Sequence, residues 1–195
     1  ATHTNTNNST IKTANDNWYK TNIVDKGYSN YVADAIYCND RQVVSLPSFE
    51  FTGNGTGTQQ TAYMAFSRLY IDFALGINVE PTLKCSQLND MFTVSSNYGN
   101  RKLIYPVGLI TADECFLAGG SIYSNNSFYL YSGYTYNTLT PSIAANANVW
   151  HLGNNGDVLY AEVLYNNYLR PVISLKSDII LAGNGTMSQP FEIVM

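Results

Sequence analysis

The side chains that most often perform catalysis are few in this chain, and they form no recognisable catalytic motif. The two histidines are His3, in a polar N-terminal stretch, and His151, in a strand-like run. No Cys–His pair, Gly-x-Ser-x-Gly elbow or His-Glu-x-x-His motif occurs. We therefore predict no catalytic residues and no cofactor, and we interpret His151 as a structural histidine instead of a catalytic base.

The carboxylates are scattered, and they predict no metal site. The segments "CNDR" and "NNGD", with Asp40 and Asp157, could each lend oxygen ligands to a calcium ion. Neither has the alternating acidic spacing of a calcium-binding loop, so we interpret both as turns. Asp113 and Glu114 are explained by a helix N-terminus, where negative charge is favoured.

The chain has three cysteines, an odd number for a framework of disulfides. Cys38 and Cys85 lie in polar, loop-like segments, so a disulfide between them is reasonable in an oxidising compartment. The alternative is three unpaired thiols. Cys115 lies in a segment with strong helix signals, and we predict that it is a buried structural thiol.

Aromatic and amide side chains crowd one region of the last third of the chain. Tyrosine is abundant, at 16 residues, while only 12% of the residues are charged. Tyr and Trp offer rigid contact area and Asn offers adaptable hydrogen bonds, as in many binding surfaces. We therefore expect a ligand-binding face formed by Tyr134, Tyr136, Asn137, Trp150, His151 and Asn154. The alternative is that half of the rings in this region point inward as the core of a sheet.

Two segments carry the signals of helices. The first covers residues 10–22, where Ser9 or Thr10 can serve as the N-cap and Trp18 is predicted to anchor the helix in the core. Its apolar positions recur at helical spacing: Ile11, Ala14 and Trp18.

The second helix is predicted over residues 111–119. Thr111 and Glu114 match a capping box, and the Gly-Gly pair after the apolar run supplies the stop. Ile110 and Cys115 are placed to form a hydrophobic staple across the helix start.

The last third predicts a meander of three antiparallel strands. "VWHL" and "VLYAEVLY" flank the turn-like "GNNGD", and Asn166 and Asn167 are predicted to form the next hairpin turn. "LRPVISL" would return as the partner strand, with Arg170 bonded to a carboxylate or carbonyl and Pro171 at its start. "GNGT" is predicted to be a turn that lets "PFEIV" run back along the sheet. The segment "AYMAFSRLYIDF" fits a helix or a strand by periodicity.

Composition excludes several classes of partner. The net charge is −4 and there is no basic stripe, so we predict no nucleic-acid partner. No stretch approaches twenty apolar residues, so we predict no transmembrane segment. Residues 1–9 are predicted to be a flexible polar tail or linker, and residues 10–195 a single domain. The first residue is Ala, which suggests a removed leader or a segment cut from a longer chain.

Six segments occur in an order that resembles a group of bacterial surface proteins, often attached behind a prepilin-type N-terminal helix. They are "DNWYKTNI", "YCNDR", "KLIYPVGLITADECFLAGG", "FYLYSGYTYNTLTPS", "VWHLGNNGDV" and "LRPVISLKSDIILAGNGTMSQPFEI". The resemblance spans roughly residues 9–194. It implies an α+β, C-type-lectin-like fold of the formylglycine-generating-enzyme-like and Lcl-like kind, with two helices flanking an irregular antiparallel sheet, here over 149–175, and long loops.

The resemblance implies a secreted or surface-displayed module and carries over no activity. The reactive cysteines or metal site of the enzyme branch and the calcium motifs of sugar-binding lectins have no matching arrangement here. We therefore expect a non-enzymatic extracellular or cell-surface module, either a pilin-like filament subunit or an adhesin head. Its partner would be itself, in a filament or other surface assembly. The alternative is a lectin-like domain that binds an extracellular glycan or protein ligand through the Tyr/Asn/Trp-rich face.

Overall fold

The computed structural model describes residues 8–51, 58–76, 79–144, 147–186 and 188–194, which fold into short helices and small antiparallel sheets. The predicted α+β class is confirmed, while the C-type-lectin-like fold stays a prediction. The domain bounds also stay a prediction. Most of the predicted tail, including His3, lies outside the described residues.

The first predicted helix is present as α1 (Thr10–Tyr19), which continues through a π-helical turn at Lys20–Val24. Ser9 is its N-cap, and the Ser9 hydroxyl accepts a hydrogen bond from the Lys12 backbone N–H at 3.2 Å. The serine side chain thus satisfies one of the donors that a helix start leaves free.

The buried face of α1 differs from the predicted one. Asn15 and Tyr19 are buried, whereas Ala14 is exposed and Trp18 is only half-buried. Tyr19 stacks on Tyr105 with ring centroids 5.2 Å apart. Tyr19 therefore has most of the anchoring role that was predicted for Trp18, because Tyr105, which is distant in sequence, stacks on the Tyr19 ring.

The segment "AYMAFSRLYIDF", whose periodicity fitted either a helix or a strand, forms a short strand and then a series of helical turns. It begins as the short strand β3 (Thr61–Tyr63), which pairs with β2 (Val43–Ser45). It continues as α2 (Met64–Phe66), a π-helical turn (Ser67–Ile71) and α3 (Asp72–Ala74). Single-turn 3₁₀ helices occur at Ser29–Tyr31 and Leu88–Asp90.

The second predicted helix is confirmed as α4 (Ala112–Leu117) with its capping box. The Thr111 hydroxyl accepts from the Glu114 backbone N–H at 3.1 Å, and the Glu114 carboxylate accepts from the Thr111 backbone N–H at 2.7 Å. Cys115 is fully buried in the main core cluster, and Ile110 packs against that cluster. The buried members of the cluster are Ala65, Leu69, Ala112, Cys115, Phe116, Phe128, Tyr136, Trp150, Leu152 and Val158. The predicted burial of this thiol is confirmed.

The largest sheet consists of β5 (Tyr136–Pro141), β6 (Asn148–Leu152) and β7 (Val158–Glu162), in that order and antiparallel. The predicted "GNNGD" turn joins β6 to β7, with the Gly153 N–H bonded to the Asp157 carbonyl at 2.8 Å. Gly156 has φ +80°, and a Cβ there would lie 2.1 Å from the Asn125 carbonyl oxygen, so the turn requires glycine.

The prediction that "LRPVISL" forms the third strand of this sheet is wrong. β6 pairs with β7 along one edge and with β5 along the other. Asn166–Asn167 does not connect two paired strands. Residues 168–175 instead form single bridges from Tyr168 to Tyr136, Val172 to Gly108 and Leu175 to Val32. Because these three partners are distant from one another in sequence, residues 168–175 contact three separate parts of the chain.

Two further pairs complete the described strands. β1 (Tyr37–Cys38) pairs with β4 (Met91–Phe92), and β8 (Leu181–Ala182) pairs with β9 (Glu192–Ile193). The turn at "GNGT" reverses the chain as predicted, but β9 pairs with β8 and does not run along the three-stranded sheet. No helix among the described residues is long and apolar enough to cross a membrane.

Candidate functional site

Four of the six residues predicted to bind a ligand lie on the β5–β6 pair, on both of its faces, and Tyr134 and Asn154 lie just outside the two strands. Tyr136 is 2% exposed and Trp150 is 0% exposed, so both rings are inside the core. Successive side chains of a strand point to opposite faces, and these two face inward. The prediction that Tyr136 and Trp150 present their rings to a ligand is therefore wrong.

Trp150 is a fully buried ring of the main core cluster. Its ring lies edge-on to Phe116 at 6.0 Å and to Tyr160 at 5.9 Å between centroids. Its indole Nε1 is buried with no hydrogen-bond partner among the described residues. These contacts assign Trp150 to packing, as in the alternative that half of the rings point inward.

Tyr136 is fixed by a small polar network at the edge of the core. Its hydroxyl donates to the Leu130 carbonyl at 3.0 Å and accepts from the Arg170 guanidinium at 2.8 Å. The guanidinium also donates to the Leu130 carbonyl at 2.7 Å and lies 5.0 Å from the centre of the Tyr136 ring. Arg170 is thus a structural partner of a carbonyl, as predicted.

Two of the predicted residues, Tyr134 and Asn154, lie together on the surface beside an unpredicted third, Tyr168. The Tyr134 and Tyr168 rings are 4.6 Å apart between centroids, and they are 56% and 61% exposed. Thr135 holds the group together, because its carbonyl accepts from the Tyr168 N–H at 2.9 Å and its hydroxyl accepts from the Asn154 N–H at 3.1 Å. An aromatic pair is therefore held at the N-terminal end of β5.

An amide pair includes Asn167, the residue that precedes Tyr168. The Asn167 side-chain amide donates to the Asn137 side-chain carbonyl at 2.7 Å. Asn137 and His151 are direct partners in the β5–β6 register and are half-buried on the outer face. Burial lowers the pKa of His151 from its ordinary value, although the nearby Asp157 carboxylate raises it in part. We call Tyr134, Asn137, Asn154, Asn167 and Tyr168 the aromatic–amide surface.

Sequence reasoning missed Tyr168 and Asn167 because it assigned their neighbourhood to a hairpin turn and a following strand. The signal available was composition: Tyr165, Asn166, Asn167 and Tyr168 repeat the Tyr/Asn bias of the predicted face. Their proximity to Tyr134 depends on the bridge between residues 168 and 136, which is a contact between distant parts of the sequence.

A buried ion cluster lines a different cavity, of about 310 Å³. The Arg68 guanidinium donates to both Asp113 carboxylate oxygens, at 2.7 and 2.6 Å, and to the Asp40 carboxylate at 2.6 Å. Burial raises the pKa of the Asp40 carboxyl, although the hydrogen bond and charge of Arg68 lower it in part. Asp40 thus belongs to an ion pair, and no group of three or more His, Cys, Asp or Glu side chains among the described residues is placed to hold a metal ion.

The predicted disulfide is confirmed between Cys38 and Cys85, which both line this cavity. It ties the irregular segment 79–87 to β1. The same segment is also bonded to α4, because the Thr82 N–H donates a 2.9 Å hydrogen bond to the Asp113 carboxylate. The cysteines therefore hold a wall of the cavity in place, and the free thiol of Cys115 lies apart from them with its pKa raised to about 12 by burial.

Comparisons with known proteins find no match for this chain. No protein-family model matches the chain, and no curated protein and no solved structure matches it either. The geometry of the described residues therefore carries the functional argument.

Proposed function

We propose that the chain is a non-enzymatic extracellular or cell-surface binding module, of the adhesin-head kind, which binds a glycan through the aromatic–amide surface. The observation that carries the proposal is the exposed pair of rings, Tyr134 and Tyr168, held 4.6 Å apart. The disulfide supports the location, because disulfides persist in oxidising compartments.

The chemistry of the surface favours an uncharged, hydroxyl-rich ligand. Tyrosine rings present flat apolar area to the C–H faces of a sugar, and asparagine amides both donate to and accept from hydroxyl groups. The five residues that define the surface carry no charge.

The test is binding to a glycan array, followed by titration of the best ligand with single variants. Tyr134→Ala and Tyr168→Ala should each weaken binding by about tenfold or more, because central aromatic contacts dominate binding energy. Tyr98→Ala is the matched control, since Tyr98 is 79% exposed and does not belong to the surface. Equal affinities for all three variants and the unmodified chain would reject this surface as the binding site.

A second candidate function is that of a filament subunit, and the C-terminal hairpin favours it. The hairpin of β8 and β9 exposes four apolar side chains: Ile180, Leu181, Phe191 and Val194, at 70%, 43%, 60% and 55%. A lone two-stranded hairpin has unpaired edges and little stability of its own. Pairing with the hairpin of a second copy would cover both the edges and the apolar groups.

Electron microscopy and sedimentation of the purified chain test this candidate. Assembly that is lost in Phe191→Lys and kept in the surface control Tyr98→Lys would support a filament subunit. A strictly monomeric chain at high concentration would argue against it, and glycan binding would be unaffected by either result.

A further inference from the structure

The cavity of about 310 Å³ beside the Arg68 ion cluster is lined by charged groups whose bonding capacity the cluster does not use up. At about 30 Å³ for each water molecule of the liquid, its volume corresponds to roughly ten waters, which is room for one small organic molecule. Its exposed lining residues are Ile36, Leu83 and Lys84, so they mark its rim. None of its lining residues belongs to the aromatic–amide surface.

The Arg68 guanidinium uses only part of its donor capacity. Its Nε donates to Asp113, and its Nη2 donates to Asp113 and to Asp40. Its Nη1 carries a further pair of N–H groups and donates to no residue that the structure describes. Arg68 lines the cavity, and Nη1 is not among the polar atoms that are sealed from solvent. The guanidinium therefore presents an unpaired, positively charged edge to the cavity.

The Asp40 carboxylate is also only half used. Asp40 is 7% exposed, and its Oδ2 accepts from Arg68 at 2.6 Å, whereas its Oδ1 accepts from none of the described residues. Asp40 lines the same cavity, and Oδ1 is likewise not a sealed atom. A buried charge is costly to leave without hydrogen bonds, so Oδ1 favours a donor that enters the cavity. Because Arg68 and Asp40 are bonded to each other, the free acceptor and the free donors lie side by side.

The charge of the lining selects among the possible ligands. Three carboxylates and two cations leave it with a formal charge of −1: Asp40, Asp113 and Glu114 against Arg68 and Lys84. That charge repels a simple anion, and the unpaired edge of Arg68 repels a simple cation. A molecule that carries both a cationic donor and an anionic acceptor satisfies both free groups and adds no net charge.

We propose that this cavity binds a free amino acid with an apolar side chain. The ammonium group donates to the Asp40 Oδ1, and the carboxylate accepts from the Arg68 Nη1. An amino acid carries these two groups on one carbon, which matches the adjacent positions of Asp40 and Arg68. Its side chain packs against the apolar part of the lining, which includes Met91, Leu109 and Val172. The site is separate from the glycan surface and does not depend on the function proposed for that surface.

Leucine and two analogues that each lack one charged group test the class of ligand. The analogues are 4-methylpentanoate, which has no ammonium, and 3-methylbutylamine, which has no carboxylate. Titration calorimetry or ligand-observed NMR should show saturable binding of leucine to the folded chain. Each analogue leaves one charged group of the cavity unsatisfied, so each should bind at least about tenfold more weakly than leucine.

Asp40→Asn tests the buried acceptor, because it removes the negative charge and keeps the size of the side chain. It should weaken leucine by about tenfold or more and 4-methylpentanoate much less, since 4-methylpentanoate has no ammonium for Asp40 to bind. Asp25→Asn is the matched control, because the Asp25 carboxylate is 48% exposed and pairs with Lys20 away from the cavity. It should leave the binding of all three probes unchanged.

Lys84→Glu tests the charge of the lining without touching the buried cluster, since Lys84 is exposed. It should weaken 4-methylpentanoate by about threefold and spare 3-methylbutylamine. Lys26→Glu makes the same change of charge outside the cavity and should affect neither probe. Tyr134→Ala should keep the binding of leucine, so this site and the glycan surface can fail independently.

Two results would overturn the proposal. The first is the absence of saturable leucine binding by the folded, unmodified chain, which would mean that water alone solvates the free groups of Arg68 and Asp40. The second is equal affinity for leucine and both analogues, since neither charged group would then contribute. The second result requires no variant, so the proposal can be rejected even if Asp40→Asn fails to fold.

Discussion

Removal of the Cys38–Cys85 disulfide should destabilise the fold by a large and calculable amount. The bridge joins residues 47 positions apart, and the chain-entropy relation for a loop of that length gives about 4 kcal/mol at 25 °C. A small domain is stable by only about 5–15 kcal/mol, so the Cys38→Ala/Cys85→Ala double variant should lose a substantial share of its stability. The loss should be accompanied by release of segment 79–87 from β1.

Urea denaturation followed by tryptophan fluorescence measures this loss, because Trp150 is fully buried and becomes exposed on unfolding. The unmodified chain in reducing agent should match the double variant, and the double variant should be insensitive to the reducing agent. Without reducing agent, the denatured unmodified chain should show one titratable thiol, that of Cys115. A difference in unfolding free energy below about 1 kcal/mol, or three free thiols, would refute the reasoning.

Three further predictions concern buried polar groups. Arg68→Met leaves the carboxylates of Asp40 and Asp113 without their cation and should lower the unfolding free energy by about 3–5 kcal/mol in urea titrations, whereas a loss under about 1 kcal/mol would mean that water already solvates the cluster. Burial lowers the pKa of His151, so the unfolded chain binds its proton more readily, and stability should fall as the pH drops below about 6.5; His151→Phe should remove that slope from thermal melts at pH 5 to 7. The pKa of Cys115 is raised to about 12, so iodoacetamide should leave it unmodified in the native chain and alkylate it in urea, as mass spectrometry would show; rapid native labelling would contradict its burial.

Features that depend on neighbouring residues were predictable. The capping box of α4 needs only Thr111 and Glu114, three positions apart, and the hydrogen bond that closes the "GNNGD" turn joins Gly153 to Asp157 within the turn itself. The burial of Cys115 followed from its place in that helix. These elements are determined locally, because the groups that form their hydrogen bonds lie within a few residues of one another.

The face of each strand could not be determined in the same way. Alternation divides β5 and β6 into two sets of side chains, and it does not say which set is inside. Packing of Trp150 between Phe116 and Tyr160 decides that question, and Tyr136 follows on the same side. The ligand-binding prediction mixed the two sets for this reason.

The sequence by itself determined the α+β composition, the two capped helices, the β6–β7 turn and the plausibility of the disulfide. Tertiary structure alone decided that Arg68 lies between Asp40 and Asp113, and that Tyr168 lies beside Tyr134. The physical reason is the range of the contacts. Caps and turns are satisfied within the segment that encodes them, whereas ion clusters and aromatic pairs form only when chain segments tens of residues apart are packed together.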